Sequence, residues 1–307
     1  MPPQRFGGTG VTTSFYIGCA VWAYKDWVGN FYPKGSKARD FLGLYCDRFT
    51  AVEGNTTFYS LPDAKTVERW AAEMPPTFRF CPKLPKVFSH QGKLGPHREG
   101  ALQFLESLKP LGSRLGPLFI QLPPSYSPAL FSDLREFLTD WPRQAFPLAV
   151  EVRHLDWFQD PVASRLNQML SALGVGRVLL DTRPIYDSIE TPADDPQIGS
   201  ERKKPQVPLQ PVVTAPFTLV RYISHPDLAQ NQPYFKEWVP RLKQWLDEGT
   251  EVYFFAHCPK EEYSPELARY VYHQLQEEGA SIPPLQWDLT EAKGGDDQEP
   301  PAQLSLF

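Results

Sequence analysis

Leu148-Ala149-Val150-Glu151-Val152-Arg153-His154 is the stretch that decides the fold. The run Leu148–Val152 is short, almost wholly apolar and suited to burial on both faces, as a parallel strand is. A helical-period segment, Val162–Leu173, follows it, and then a second apolar run, Val178–Asp181. Pro161 fits the first turn of that helix. Strand, crossover helix and strand in this order require parallel pairing.

The same alternation extends in both directions. Further apolar runs are Phe15–Cys19, Ala51–Glu53, Phe78–Lys83, Leu118–Gln121, Phe217–Tyr222 and Glu251–Phe255. Helical segments between them are Ala38–Cys46, Ala64–Glu73, Gly100–Leu108, Pro128–Leu138, Tyr234–Asp247 and Pro265–Glu278. This predicts an α/β fold, a single closed (β/α)8 TIM-type barrel over residues 14–289, after an N-terminal extension of residues 1–13. A doubly wound open sheet is the alternative. It usually carries a glycine-rich turn after its first strand; here that turn reads Gly18-Cys19-Ala20-Val21-Trp22.

One connection departs from the pattern. Residues 184–216 hold Pro184, Pro192, Pro196, Pro205, Pro208, Pro211 and Pro216, with Lys203 and Lys204. A segment this long without periodicity reads as a lid or as disorder, replacing the helix after strand 6. Residues 290–307 read as a flexible C-terminal tail, a Gly-, Asp- and Pro-rich linker ending in an apolar peptide.

Composition excludes several classes. Of 307 residues, 41% are hydrophobic and 22% charged, enough for a large core. The net charge of -5 supplies no general basic field for coating nucleic acid. No apolar run is long enough to span a bilayer, and no basic region followed by an apolar one opens the chain, so a cytoplasmic location is expected. Cys19, Cys46, Cys81 and Cys258 form no C-x-x-C pair and read as reduced, inert thiols.

In a β/α barrel reactive groups gather at the carboxyl ends of the strands. Those ends offer Trp22, Glu53, Asn55, Tyr59, Lys83, Gln121, Glu151, Arg153, His154, Asp181, Arg221 and His257. So many polar groups at strand ends suggest a ligand-binding mouth, or an internal ion-pair network that closes it. Glu53 and Glu151 are the acid/base candidates. Lys83, Arg153 and Arg221 suit an anion. Trp22, Tyr59, Tyr126 and Trp157 could form a stacking rim, and His90 could line the mouth. Glu151, Asp181 and His257 could hold Mn²⁺, Mg²⁺ or Zn²⁺.

Several motifs occur in one order: Trp22-Ala23-Tyr24-Lys25-Asp26-Trp27-Val28-Gly29-Asn30-Phe31-Tyr32-Pro33, Val52-Glu53-Gly54-Asn55-Thr56-Thr57-Phe58-Tyr59, Phe78-Arg79-Phe80-Cys81-Pro82-Lys83, Gln121-Leu122-Pro123-Pro124 and Glu151-Val152-Arg153-His154. Together they resemble the domain-of-unknown-function 72 family, also called YecE-like, from Ser14 to Glu278 outside the insertion. The resemblance implies a barrel of the triose-phosphate-isomerase type, similar to sugar-isomerase and endonuclease-IV barrels, and no established activity. The chain departs from the family pattern twice. Arg221-Tyr222-Ile223-Ser224 stands where the family usually shows Arg-x-His-Gly, and Phe255-Ala256-His257 lacks the usual Asn.

The last residues, Gln303-Leu304-Ser305-Leu306-Phe307, are similar to the pentapeptide by which bacterial proteins bind the DNA polymerase sliding clamp. Leu304, Leu306 and Phe307 would enter an apolar groove while the Gln303 amide makes hydrogen bonds. Two functional readings stand at this level. One is an enzyme, hydrolase- or isomerase-like, acting on an anionic or phosphorylated small molecule or a nucleic-acid fragment. The other is a non-catalytic adaptor of DNA replication or repair whose mouth residues are structural.

Overall fold

The computed structural model describes residues 15–198 and 203–296. Eight strands lie where the apolar runs predict them: β1 (Phe15–Cys19), β2 (Ala51–Gly54), β3 (Arg79–Pro82), β4 (Leu118–Gln121), β5 (Leu148–Glu151), β6 (Gly176–Asp181), β7 (Phe217–Ile223) and β8 (Glu251–His257). Every ladder is parallel. The fold is therefore α/β with parallel sheet. The ladders do not close into the single ring expected. Six strands form one sheet in the order β1-β8-β7-β6-β5-β4, and β2-β3 form a second.

Two seams separate the sheets. β3 meets β4 through single bridges, Phe80 to Leu115 and Lys83 to Phe119. At the β1–β2 seam the backbones approach so closely that a Cβ on Gly18 would lie 1.8 Å from the Ala51 carbonyl oxygen. Buried N–H groups need partners, and side chains supply them here. The Tyr45 hydroxyl accepts from Cys19 N–H (2.6 Å) and donates to the Ala51 carbonyl (3.1 Å), while Thr50 Oγ1 accepts from Ile17 N–H (2.9 Å).

Successive strand residues face opposite sides. On one side the strands pack under helices, whose buried stripes face them; Leu166 and Leu170 of Val162–Leu173 are examples. On the other side lies an apolar cluster drawn from all eight strands: Tyr16, Ala51, Cys81, Phe119, Ala149, Val178, Phe217, Leu219, Tyr253 and Phe255. The helices largely match expectation, with two differences. Ala38–Cys46 and Pro128–Leu138 each begin as a 3-10 turn (Ala38–Asp40, Pro128–Leu130) before the α-helices Phe41–Cys46 and Phe131–Thr139. Pro161 sits one residue before its helix rather than inside the first turn.

The expected helix after β6 is replaced by a short helix, Arg183–Tyr186, and a 3-10 turn, Pro192–Asp194. The described part of the insertion is seated on the strands. Ile185 and Val207 pack on Leu180 and Ile223, Tyr186 donates to the Lys204 carbonyl, and Gln210 Nε2 donates to the Phe158 carbonyl at 2.8 Å. A helix, Gln286–Asp296, runs across the linker boundary expected at residue 290. It is anchored by Trp287, buried edge-on against Phe31 at 5.0 Å. The terminal residues Gln303, Leu304, Leu306 and Phe307 lie outside the described residues. All four cysteines are free and buried. No described helix is long and apolar enough to cross a membrane.

Candidate functional site

Two residues further along a strand is the same face one step on. Stepping by two from the inner apolar cluster leads from Ala51 to Glu53, Cys81 to Lys83, Phe119 to Gln121, Ala149 to Glu151, Leu219 to Arg221 and Phe255 to His257. All six lie at the carboxyl ends of their strands and are at least nine-tenths buried.

They form one connected network. Arg221 grips Glu53 with two bonds, Nε to Oε2 (2.8 Å) and Nη2 to Oε1 (2.9 Å). Its Nη1 donates to Glu151 Oε2 at 2.5 Å. Arg153 Nε donates to Glu151 Oε1 at 2.6 Å, and His257 Nε2 lies 2.8 Å from Glu53 Oε2. Every oxygen of both carboxylates therefore has a cationic or imidazole partner. Beyond them, Gln121 Oε1 receives two cations at once, Arg153 Nη2 at 2.5 Å and Lys83 Nζ at 2.7 Å. Lys83 also reaches Asn55 Oδ1 at 3.5 Å. The Asn55 amide is oriented by its Nδ2, which donates to the Ala20 carbonyl at 3.1 Å. The Lys83 ammonium position sits 3.9 Å from the centre of the Phe58 ring.

The charges respond to this enclosure. Burial works to raise the Glu53 carboxyl, but Arg221 and His257 hold it well below the usual carboxylate range. Glu151 is treated likewise: burial opposes ionisation, and Arg153, Arg221 and Lys83 outweigh it, leaving its pKa at about 2. Burial pulls His257 down to about 4 against the attraction of Glu53. Its ring is thus neutral near pH 7, with Nε2–H donating to Glu53, and its buried Nδ1 makes no hydrogen bond among the described residues. Burial, with the repulsion of Arg221, draws Lys83 down to about 7. No carboxylate lies within ion-pair distance of Lys83 among the described residues. Both glutamates are held ionised, so their environments do not split them into an acid and a base.

Other expected site residues lie elsewhere. Asp181 is buried, but it follows Val178 by three and so faces the helices. There it accepts from Arg183 Nε (3.0 Å), Arg183 Nη2 (2.9 Å) and Trp238 Nε1 (2.8 Å). This separates it from Glu151 and His257, and no metal-holding group of three His, Cys, Asp or Glu exists among the described residues. Trp22 is core, edge-on to Trp70 at 5.6 Å. Tyr126 and Trp157 are buried against each other, with Trp157 Nε1 donating to the Tyr126 carbonyl at 2.7 Å. Of the four expected rim aromatics, Tyr59 alone is exposed, at 60%. His154 Nδ1 accepts from Asp156 N–H and caps the turn Leu155–Phe158. His90 packs edge-on to Phe58 at 5.1 Å, and burial lowers it to about 4.

Sequence reasoning missed two groups. Lys204, from the insertion, lies within electrostatic reach of Glu261, Arg221, Glu53 and Arg153; burial lowers its pKa. Burial raises the Glu261 carboxyl. The lysine pair 203–204 was the available signal, but an aperiodic segment gives no register from which to place it. A separate concavity of about 820 Å³ opens at the strand beginnings, around Trp141, Pro147 and Phe217. Arg143 and Glu251 are its only charged lining residues among the described ones, so the convergent chemistry is at the opposite end.

Parallel strands under helices, with a buried ion network at their carboxyl ends, define an α/β protein of a recognisable class. The chain belongs to the DUF72 family: the model described as "Protein of unknown function DUF72" matches residues 16–290. It is 36% identical over 262 residues to the UPF0759 protein YecE of Escherichia coli K12, covering 85% of this chain and 92% of that one. It is 26% identical over 201 residues to the UPF0759 protein YunF of Bacillus subtilis, covering 60% and 62%. Among solved structures, a DUF72 family protein from Enterococcus faecalis V583 matches with a TM-score of 0.61 and 20% identity, covering 86% and 94%. Another, from Thermotoga maritima, matches at 0.58 and 20%, covering 86% and 98%.

Proposed function

We propose that the eight strands form a β/α barrel and that its mouth binds a small anion, a phosphorylated or carboxylated molecule, through Arg153 and Lys83. The barrel reading is supported by the inner cluster, to which all eight strands contribute, and by side-chain bonding across the β1–β2 seam. The anion reading is carried by one observation: two cationic side chains converge on a single neutral oxygen, Gln121 Oε1. Two positive groups held together without a shared carboxylate make a place where an anion's oxygens are favoured. Arg153 is the accessible partner, its side chain 17% exposed. Glu53, Arg221 and Glu151 form the fixed frame that aims it.

Charge-assisted bonds from two cations support a dissociation constant of about 1 mM or tighter. Calorimetry with inorganic phosphate, glycerol phosphate and pyruvate tests this. Arg153→Ala should weaken binding at least about tenfold. No heat with any of the three at about 10 mM would end the proposal.

The adaptor reading has its own support, since every carboxylate oxygen of the network is already satisfied within the protein. In it the barrel is scaffold, and Gln303-Leu304-Ser305-Leu306-Phe307 recruits the chain to the sliding clamp. Burying Leu306 and Phe307 contributes about 3–6 kcal/mol gross, hence micromolar-to-millimolar, transient binding. A peptide of the chain's end should bind purified clamp, and Leu306→Ala with Phe307→Ala should abolish it. An absence of binding at high-micromolar clamp would remove this reading.

A further inference from the structure

We propose that the Lys83 amine is a nucleophile that condenses with the carbonyl group of a small phosphorylated or carboxylated aldehyde or ketone held at this mouth, forming an imine. The inference rests on the anion-binding reading and adds a covalent step to it. Three geometric facts carry it. Lys83 is 5% exposed, and its nitrogen is bonded to two neutral amide oxygens, Gln121 Oε1 and Asn55 Oδ1. Both amide orientations are fixed from outside: Asn55 by its bond to the Ala20 carbonyl, Gln121 by its second donor, Arg153. The Lys83 backbone is clasped as well, its N–H donating to Thr57 Oγ1 at 3.1 Å.

A lysine in water is an ammonium with no lone pair. Near pH 7 Lys83 exchanges between ammonium and free amine. The ammonium shares the anion with Arg153. In the free amine, two N–H bonds to amide oxygens leave the lone pair directed away from both, and Arg153 alone carries the charge. The groups that bear on its charge are Arg221, Glu53, Glu151 and Arg153, with His90 beside Phe58. Burial and the repulsion of Arg221 favour the uncharged form, outweighing the cation–π attraction of the Phe58 ring at 3.9 Å. Arg153 adjoins the same amide oxygen, so an anionic group on Arg153 would bring a neighbouring carbonyl carbon toward Nζ.

The step balances. The Nζ lone pair forms the C–N bond while the C=O π pair moves to oxygen. A proton from nitrogen passes to that oxygen, giving the carbinolamine. Loss of the hydroxyl as water, with a second proton from nitrogen, gives the imine, so one water is released per imine formed. No oxidant or reductant takes part.

Borohydride trapping of the full chain tests this. Glyceraldehyde phosphate and pyruvate serve as carbonyl probes, glycerol phosphate as the anion without a carbonyl. The expected result is a reduced adduct mapped to Lys83, formed at pH 7.5 about tenfold or more faster than on exposed lysines. The neutral fraction gains tenfold per pKa unit, while nucleophilicity falls more slowly. Excess glycerol phosphate should suppress it, and Lys83→Arg should abolish it. Adducts spread over surface lysines, with none enriched at Lys83, would overturn the inference. If glycerol phosphate still binds in that case, the anion site stands without the covalent step. If nothing binds, both readings fall.

Discussion

Replacing Arg221 by methionine removes a guanidinium that makes three bonds to two buried carboxylates. Methionine fills much of the same volume, so the change is mainly electrostatic. Glu151 keeps Arg153. Glu53, 0% exposed, keeps among the described residues only His257, whose ring is neutral near pH 7. Breaking a buried pair by removing one partner costs about 3–5 kcal/mol, a large part of a typical folding free energy of roughly 5–15 kcal/mol. With a urea dependence of about 3 kcal/mol per molar for a chain of this size, the midpoint should fall by about 1–1.7 M. The double variant Arg221→Met with Glu53→Gln removes the stranded charge. It should recover about 2 kcal/mol of the loss, because the penalty belongs to the unpaired carboxylate rather than to the missing bond. Urea unfolding followed by tryptophan fluorescence reads both values. A single variant within about 1 kcal/mol of the parent, or a double variant no better than the single, would mean that Glu53 is hydrated and the network is not the closed assembly described.

Lys83 and His257 give pH signatures of known sign. The unfolded chain holds the lysine proton up to about 10.5, whereas the folded chain releases it near 7. Stability should therefore rise between pH 7 and 8, by up to about 1.4 kcal/mol per pH unit, and Lys83→Met should flatten that rise. His257 takes a proton near 6.5 when unfolded and near 4 when folded. Stability should fall as pH drops through that window, and His257→Gln should remove this part of the loss while the loss from Glu151 below about 4.5 persists. Asp181→Asn should destabilise by about 1–3 kcal/mol through Arg183 and Trp238, with phosphate binding by calorimetry unchanged. Gly18→Ala should cost at least about 3 kcal/mol by thermal unfolding, because its methyl would meet the Ala51 carbonyl backbone at 1.8 Å.

The strand positions were legible because parallel strands buried on both faces read as short apolar runs, and the crossovers between them have helical period. The network was legible through its strand ends, and parity separates the residues that join it from those that do not. Glu53, Glu151 and Arg221 each lie two residues beyond an inner apolar side chain, whereas Asp181 lies three beyond Val178 and turns to the helices. That odd step stands in the sequence; counting ends without counting faces hides it. Trp22, Tyr126 and Trp157 illustrate a different limit. An aromatic in a loop beside a strand end has no periodicity to tell rim from core, and burial claims all three. The seam at Gly18 was hidden as well, since its bonds come from the Tyr45 and Thr50 hydroxyls and a single backbone bond, Thr50 N–H to the Ile17 carbonyl at 3.2 Å, rather than from a ladder.

The insertion and the departures from the family pattern belong together physically. At the β6 position of the network level stands Leu180, apolar where neighbouring strands present charge. Ile223 stands where the resemblance implies a histidine, and it packs with Leu180 against Ile185 and Val207 of the insertion. A charged side chain at residue 223 would lose solvent under that cover at a cost in free energy. Ser224, in place of the family glycine, finds one by donating to the His257 carbonyl at 2.6 Å. An apolar seat at Leu180 and Ile223 thus holds two points of the proline-rich segment, Ile185 near its start and Val207 within its second half. The same seat brings Lys204 within reach of Arg153 and Arg221. The described part of the insertion thus adds one more cation, Lys204, beside strand ends that already carry Lys83, Arg153 and Arg221.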